Sequence, residues 1–123
     1  MSQRRRTIAG SASVQGIGLH LGQPCTLTFV RAKSGEGIGF VRSDRPGSAR
    51  IPAAADRAVL TERRTQLGEG NVALHTVEHV LAAVSGLGFD DLTVEMDGPE
   101  PPVLDGSSWP FVELLQTCGV VLQ

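Results

Sequence analysis

Aromatic side chains are scarce in this sequence: among 123 residues there is no tyrosine, one tryptophan and four phenylalanines. Proteins that stack single-stranded bases need flat side chains in series, so a base-stacking platform is excluded. Charge points the same way. Eleven basic and thirteen acidic side chains leave a formal net charge of -2, which gives no broad basic footprint for nucleic acid. Cysteine is equally sparse. Cys25 and Cys118 lack the spacing of a zinc module and are expected to be buried thiols in a reducing compartment. No apolar run approaches the roughly 20 residues of a membrane helix. The opening MSQRRR would suit a signal n-region, but the following TIAGSASVQG has no apolar stretch, so no secretory signal is expected. Residues 1–6 are therefore expected to be a solvated basic tail, and the protein to be cytoplasmic. Internal repeats and low-complexity segments are absent.

What is present fits one domain with one modest core. Thr7 to Val14 reads as a first strand. GIGLHLG, residues 16–22, interrupts it with three glycines in seven residues, allowing backbone conformations closed to other residues. His20 lies inside that loop, which is either a tight connection or a device bringing Leu19 and His20 to a ligand. Cys25 to Arg31 alternates cleanly and predicts a strand. Gly35 to Gly37 turns the chain, and Ile38 to Arg42 is expected as the hairpin partner. Ser43 to Ser48 is a loop with Pro46 and Gly47, and Arg50 to Ala55 receives no assignment. Val59 to Leu67 reads as a strand or strand edge, followed by a turn at Gly68 to Gly70. Arg63 and Arg64 could meet an anion, although a solvated face is the commoner outcome.

The strongest helix signal is NVALHTVEHVLAAVSGLG, residues 71–88. Val77, Val80, Leu81 and Val84 recur at helical spacing and form an apolar stripe. Thr76 is expected as N-cap, and Gly86 with Leu87 as a left-handed stop. On a helical wheel His79 falls opposite the stripe, flanked by Ala82 and Ala83. A first-turn imidazole feels the positive end of the helix dipole, which disfavours its cation and favours the form that binds metal. Glu78 beside it could take a proton from water. Taken alone, these two residues read more readily as a dipole partner and an ordinary histidine. His75 stands four residues before His79, a spacing that can pair imidazoles on a helix, but it precedes the expected cap.

After this helix, Asp91 to Met96 predicts a short strand. Pro99, Pro101 and Pro102 then impose an extended path. Asp105-Gly106-Ser107 is a turn, and Ser108 can cap a second helix carrying Phe111, Leu114, Leu115 and Cys118, with Gly119 ending it. No strand–Gly-x-Ser-x-Gly context surrounds Ser107 or Ser108, so neither reads as a nucleophile. The order of elements predicts an α+β two-layer sandwich, with a mixed or mostly antiparallel sheet and two main helices on one face.

Four segments together exceed generic pattern: GIGLHLG at 16–22, LTERRTQL at 60–67, LHTVEHVLAAVSGLG at 74–88, and DDLTVEMDGPEPPVLDGSSWPF at 90–111. In this order the chain resembles the N-terminal lobe of the UDP-3-O-acyl-N-acetylglucosamine deacetylase family, zinc amidohydrolases of lipid A synthesis. The likeness runs from about Thr7 to Val120, and the TVEH helix and PPVLDGS segment are its most specific parts. The resemblance implies that His79 is a Zn2+ ligand and Glu78 the general base. It implies that Leu19 and His20, on the loop bordering the site, and Thr61 contact substrate. His75 matches no ligand, and the Asp105–Ser107 turn is structural.

The likeness also implies an incompleteness. Members of that family have two similar lobes, the second supplying the remaining zinc ligands, a further catalytic histidine and most of the acyl passage. Residues 7–120 are thus expected to be one lobe, residues 121–123 its end, and the second lobe a missing partner. The implied reaction removes the acetyl group of a UDP-linked, 3-O-acylated N-acetylglucosamine. Two other readings stand beside this one: a non-catalytic binding or assembly module of the same fold, and a plain zinc domain built on His20, His75 and His79.

Overall fold

The computed structural model describes residues 4–45, 47, 49–53, 58–61, 64–67 and 74–123, with side chains left aside at 58–61 and 64–67. In chain order the elements are β1 (Arg6–Ile8), β2 (Ala12–Ile17), β3 (Pro24–Arg31), β4 (Ile38–Arg42), β5 (Ile51–Pro52), β6 (Ala58–Thr61), β7 (Arg64–Leu67), β8 (Leu74–His75), α1 (Glu78–Gly86), β9 (Leu92–Met96), α2 (Trp109–Cys118) and β10 (Val120–Leu122).

Alternation dictates the main sheet. Successive strand side chains point to opposite faces. β3 therefore turns Cys25, Leu27 and Phe29 inward, and β9 turns Leu92, Val94 and Met96 inward, all of them buried. The two strands pair antiparallel, with Phe29 opposite Val94. β2 flanks β3, and β4 and β5 lie beyond β9, giving the order β2-β3-β9-β4-β5. Val80, Ala83 and Val84 of α1 and Phe111, Leu115 and Cys118 of α2 complete one core with these strands. The result is an α+β sandwich of a mixed sheet and two helices. At about 1.5–3 kcal/mol for each large side chain taken fully from water, Phe29, Phe40 and Phe111 are among its main supports.

Several expectations need correction. Ile38–Arg42 is not the hairpin partner of β3. It runs parallel to β9, Ile38 opposite Leu92, because the apolar β9 inserts between the two strands. A parallel pair needs a long crossover, and here the crossover contains α1. The Gly35–Gly37 turn is instead fastened to the start of β9, since the Gly35 and Gly37 amides donate to Asp91 Oδ1 at 3.1 and 2.8 Å. The expected strand from Thr7 to Val14 breaks in two. β1 leaves the main sheet and pairs with β10, and the Ala9 and Gly10 amides donate to the Gly119 and Cys118 carbonyls.

The basic tail is exposed at Arg4 and Arg5 but is tied to the fold where it is described. Arg5 reaches the buried Asp91 through Nε at 2.8 Å and a second nitrogen at 2.9 Å. Arg4 donates to the Leu122 carbonyl, and Arg6 opens β1. The Arg5 guanidinium, with help from the glycine amides, holds the Asp91 carboxyl below the usual range. Within Val59 to Leu67 the described residues form two strands rather than one, β6 pairing antiparallel with β7 and Thr61 opposite Arg64. The expected Gly68–Gly70 turn lies outside the described residues, as do Pro46 and Arg63.

Burial explains the cysteines. Cys25 is buried against the sheet, and loss of solvent, with Asp97 nearby, pushes its thiol up to about 12. Cys118 is raised by burial too. Both thiols are free.

Candidate functional site

α1 starts differently from the expectation. Its N-cap is Val77, and no side chain caps it. Thr76 adopts a left-handed conformation with φ of 58°, which for a β-branched residue costs on the order of 1–3 kcal/mol. Its hydroxyl turns away from the helix and donates to Glu100. The left-handed helix stop is likewise not Gly86, which ends α1 itself, but Gly88 with φ of 75°.

Glu78 sits in the first turn of α1, where the helix dipole welcomes a carboxylate. Its Oε2 is buried and has no hydrogen-bond partner among the described residues. His79 is half-buried at the edge of the face that carries Val80, Ala83 and Val84, with Ala83 one turn along the helix. It lines a small cleft of about 30 Å³, the size of one or two waters. Leu19, Thr76, Pro101, Pro102 and Phe111 share that lining. Of the two alanines expected beside His79, Ala82 is exposed, whereas Ala83 belongs to the core.

The cleft walls come from three distant segments. Residues 18–22 form the first, closed by a Gly18 amide bond to the Gln23 carbonyl and a Gly22 amide bond to the Gly18 carbonyl. The second is the mouth of α1. The third is the proline-rich run, which straps across both: the Val103 amide donates to Ile17 and the His75 amide to Pro99, each at 2.8 Å. Its centre is Glu100, only 1% exposed. The Glu100 carboxylate accepts from the His20 amide at 2.9 and 3.2 Å, from the Leu21 amide at 2.9 Å, and from the Thr76 hydroxyl. A buried charge is tolerated only where donors surround it, and these three donors do so.

Beyond the strap, Asp105 Oδ1 accepts from the Ser107 hydroxyl at 2.7 Å and its amide at 2.9 Å. Ser107, not Ser108, then accepts from the Trp109 amide at the start of α2. Ser107 holds the Asp105 carboxyl below its ordinary range, and Gly106 lines the cleft together with His79. The DGS turn therefore adjoins the imidazole as well as starting a helix.

The expected site residues separate into groups. Leu19 and His79 line one cleft, with Glu78 adjacent in sequence. His20 meets that region through its backbone, and its side chain is exposed. Thr61 ends β6 in the small β6-β7-β8 sheet, whose last strand leads into Thr76. His75 belongs to β8, so it forms no helical pair with His79. Among the described residues, no three His, Cys, Asp or Glu side chains gather closely enough for a metal ion. A zinc domain built on His20, His75 and His79 is therefore not formed. Sequence reasoning missed Glu100 altogether. The only trace is Gly18, where an added Cβ would stand 2.9 Å from the Glu100 Cβ.

These features define an α+β domain that gathers an acid and an imidazole at a helix mouth, beside a narrow cleft walled by glycine-rich and proline-rich segments. Among the described residues no helix is long and apolar enough to cross a membrane. The sequence profile of UDP-3-O-acyl N-acetylglycosamine deacetylase matches residues 5–123, and the chain belongs to that family. It is 49% identical over 119 residues to the UDP-3-O-acyl-N-acetylglucosamine deacetylase of Myxococcus xanthus, covering 97% of this chain and 38% of that protein. It is 42% identical over 119 residues to the deacetylase of the same name from Bdellovibrio bacteriovorus, covering 97% of this chain and 39% of that protein. A protein of Chlorobaculum tepidum named bifunctional enzyme LpxC/FabZ is 49% identical over 119 residues, covering 97% of this chain and 26% of that protein. The chain thus spans roughly two fifths or less of the relatives it matches.

Proposed function

We propose that this chain is the N-terminal lobe of a zinc-dependent deacetylase that removes the N-acetyl group of UDP-3-O-acyl-N-acetylglucosamine in lipid A biosynthesis. The observation that carries this reading is the pairing of the His79 imidazole, on the cleft wall, with an adjacent Glu78 whose buried Oε2 has no partner among the described residues. A buried acceptor left open is costly and suits a group awaiting a water and its proton.

Glu78 takes the proton of the attacking water and returns it to the departing amine nitrogen. His79 is one ligand for Zn2+, which when bound acts as a Lewis acid on the amide carbonyl. A catalytic zinc takes three protein ligands and keeps an open position, whereas no such group of side chains exists among the described residues. The remaining ligands belong to a second lobe, in the part of the relatives that this chain does not match. Leu19, His20 and Thr61 border the substrate, with Leu19 offering exposed apolar surface at the cleft. The reaction belongs in the cytoplasm, where nucleotide sugars are available.

A chimera tests the reading. Residues 5–123 replace the matching segment of the Myxococcus xanthus relative, and acetate release from UDP-3-O-acyl-N-acetylglucosamine is measured with the metal stripped and with zinc restored. Zinc-dependent release is expected. A folded, zinc-loaded chimera that releases no acetate sinks the proposal and leaves the non-catalytic module as the better reading.

A further inference from the structure

We propose that Glu100 is a positioning residue, a buried clamp that fixes the Leu19–His20 loop against the mouth of α1 so that both sides of the cleft keep one geometry. The effect on turnover rests on the deacetylase reading; the clamp itself does not.

Four observations carry it. Glu100 is 1% exposed, yet it is neither aliphatic nor part of the sheet. Its donors are divided between two segments far apart in sequence: the His20 and Leu21 amides on one side, the Thr76 hydroxyl on the other. Both segments hold residues of the proposed site, since Leu19 precedes the bonded amides and Glu78 follows Thr76 by two positions. The two segments are also shaped to receive the carboxylate. Gly18 leaves room for it, because an added Cβ would lie 2.9 Å from the Glu100 Cβ and 3.0 Å from its Cδ. Thr76 holds an unfavourable backbone conformation with φ of 58°, and such strain persists only where the surroundings over-determine it. The amides of a tight loop converging on one carboxylate make an anion-binding concavity, occupied here by the protein's own acid.

Catalytic groups lose rate steeply when misplaced by about 1 Å, and a site is only as well ordered as the residues supporting it. The test uses the chimera, with Glu100→Gln, Thr76→Val, Thr76→Ser and the Glu100→Gln/Thr76→Val double variant. Thr76→Val keeps the shape and removes only the hydroxyl. Both Glu100→Gln and Thr76→Val are expected to lower kcat about 10- to 100-fold while KM moves less than about threefold. Because they cut one link, the double variant is expected to be no worse than the weaker single by more than about threefold. Thr76→Ser, which restores a hydroxyl, recovers most of the loss.

Amide hydrogen exchange reads the clamp without activity. Residues 18–22 are expected to exchange about tenfold faster or more in Thr76→Val, although that substitution lies on the far side of the carboxylate. Unchanged exchange at 18–22 in both single variants overturns the clamp, as does a fully additive double variant. If Glu100→Gln does not fold, Thr76→Val decides alone. If the unsubstituted chimera releases no acetate, the deacetylase reading fails by itself, and exchange still decides whether Glu100 couples the two segments.

Discussion

In the sheet, Leu27, Phe29, Val94 and Met96 are sealed from water within one apolar cluster that includes residues of α1 and α2. At the cleft, Thr76 and Glu100 are nearly as deeply buried, but they hold the chain through hydrogen bonds between segments far apart in sequence. The first region gains from any well-fitting apolar side chain, so its energy is spread over many contacts. The second depends on a few directional bonds, each expensive to leave half-made. Damage to the sheet should therefore appear as lost stability, and damage to the cleft as lost function with the fold retained.

Phe29→Ala should have the largest effect. Emptying a site with 0% exposure costs about 3–5 kcal/mol, a substantial share of a small domain's stability, and chemical denaturation will measure it. Retention of full stability would mean that the sheet is not the chain's main support.

Asp91→Ala comes next, at about 1–3 kcal/mol, because Arg5, Gly35 and Gly37 lose one shared acceptor. The wild type adds a pH signature. The Asp91 carboxyl titrates below its ordinary value in the fold, so its contribution is complete above the unfolded value near 3.9. It disappears as acid carries the pH down through the lower, folded value. Acid unfolding followed by circular dichroism should begin at higher pH in Asp91→Ala than in wild type.

Gly18→Ala sharpens the contrast. The new methyl meets Glu100, at about 1–2 kcal/mol of overpacking. Turnover of the chimera should fall by more than that cost in stability implies, and a proportional fall would remove the distinction between the two regions. The smallest effect concerns reactivity: Cys25, its thiol pushed up to about 12, should resist alkylation at pH 8 in the folded chain and react promptly in denaturant. Prompt labelling of folded protein would contradict its burial.

How much was readable in advance follows the same division. β3 and β9 were legible because a half-buried strand alternates, and the α1 stripe because a helix repeats every 3.6 residues. The partner of β4 was not, since a parallel pairing across some fifty residues leaves no local trace and a nearby turn suggested a hairpin. Glu78 and His79 stood out through adjacency in a strong helix. The start of that helix misled, because Thr76 gave its hydroxyl to Glu100 instead of to the backbone. Glu100 itself sits alone among prolines without periodicity, and its partners on the loop are main-chain amides, which no side-chain pattern reveals. The fold was therefore largely visible, together with the acid and imidazole, while the polar link around them required coordinates.

The measurement that bears most directly on the central claim is turnover of the chimera with Glu78→Gln, taken alongside its melting temperature. Glu78 Oε2 has no partner among the described residues, so the melting temperature should hold steady. Turnover should fall at least about 100-fold, the usual contribution of a positioned general base. Turnover within a few-fold of the unsubstituted chimera, with zinc bound, would contradict the account.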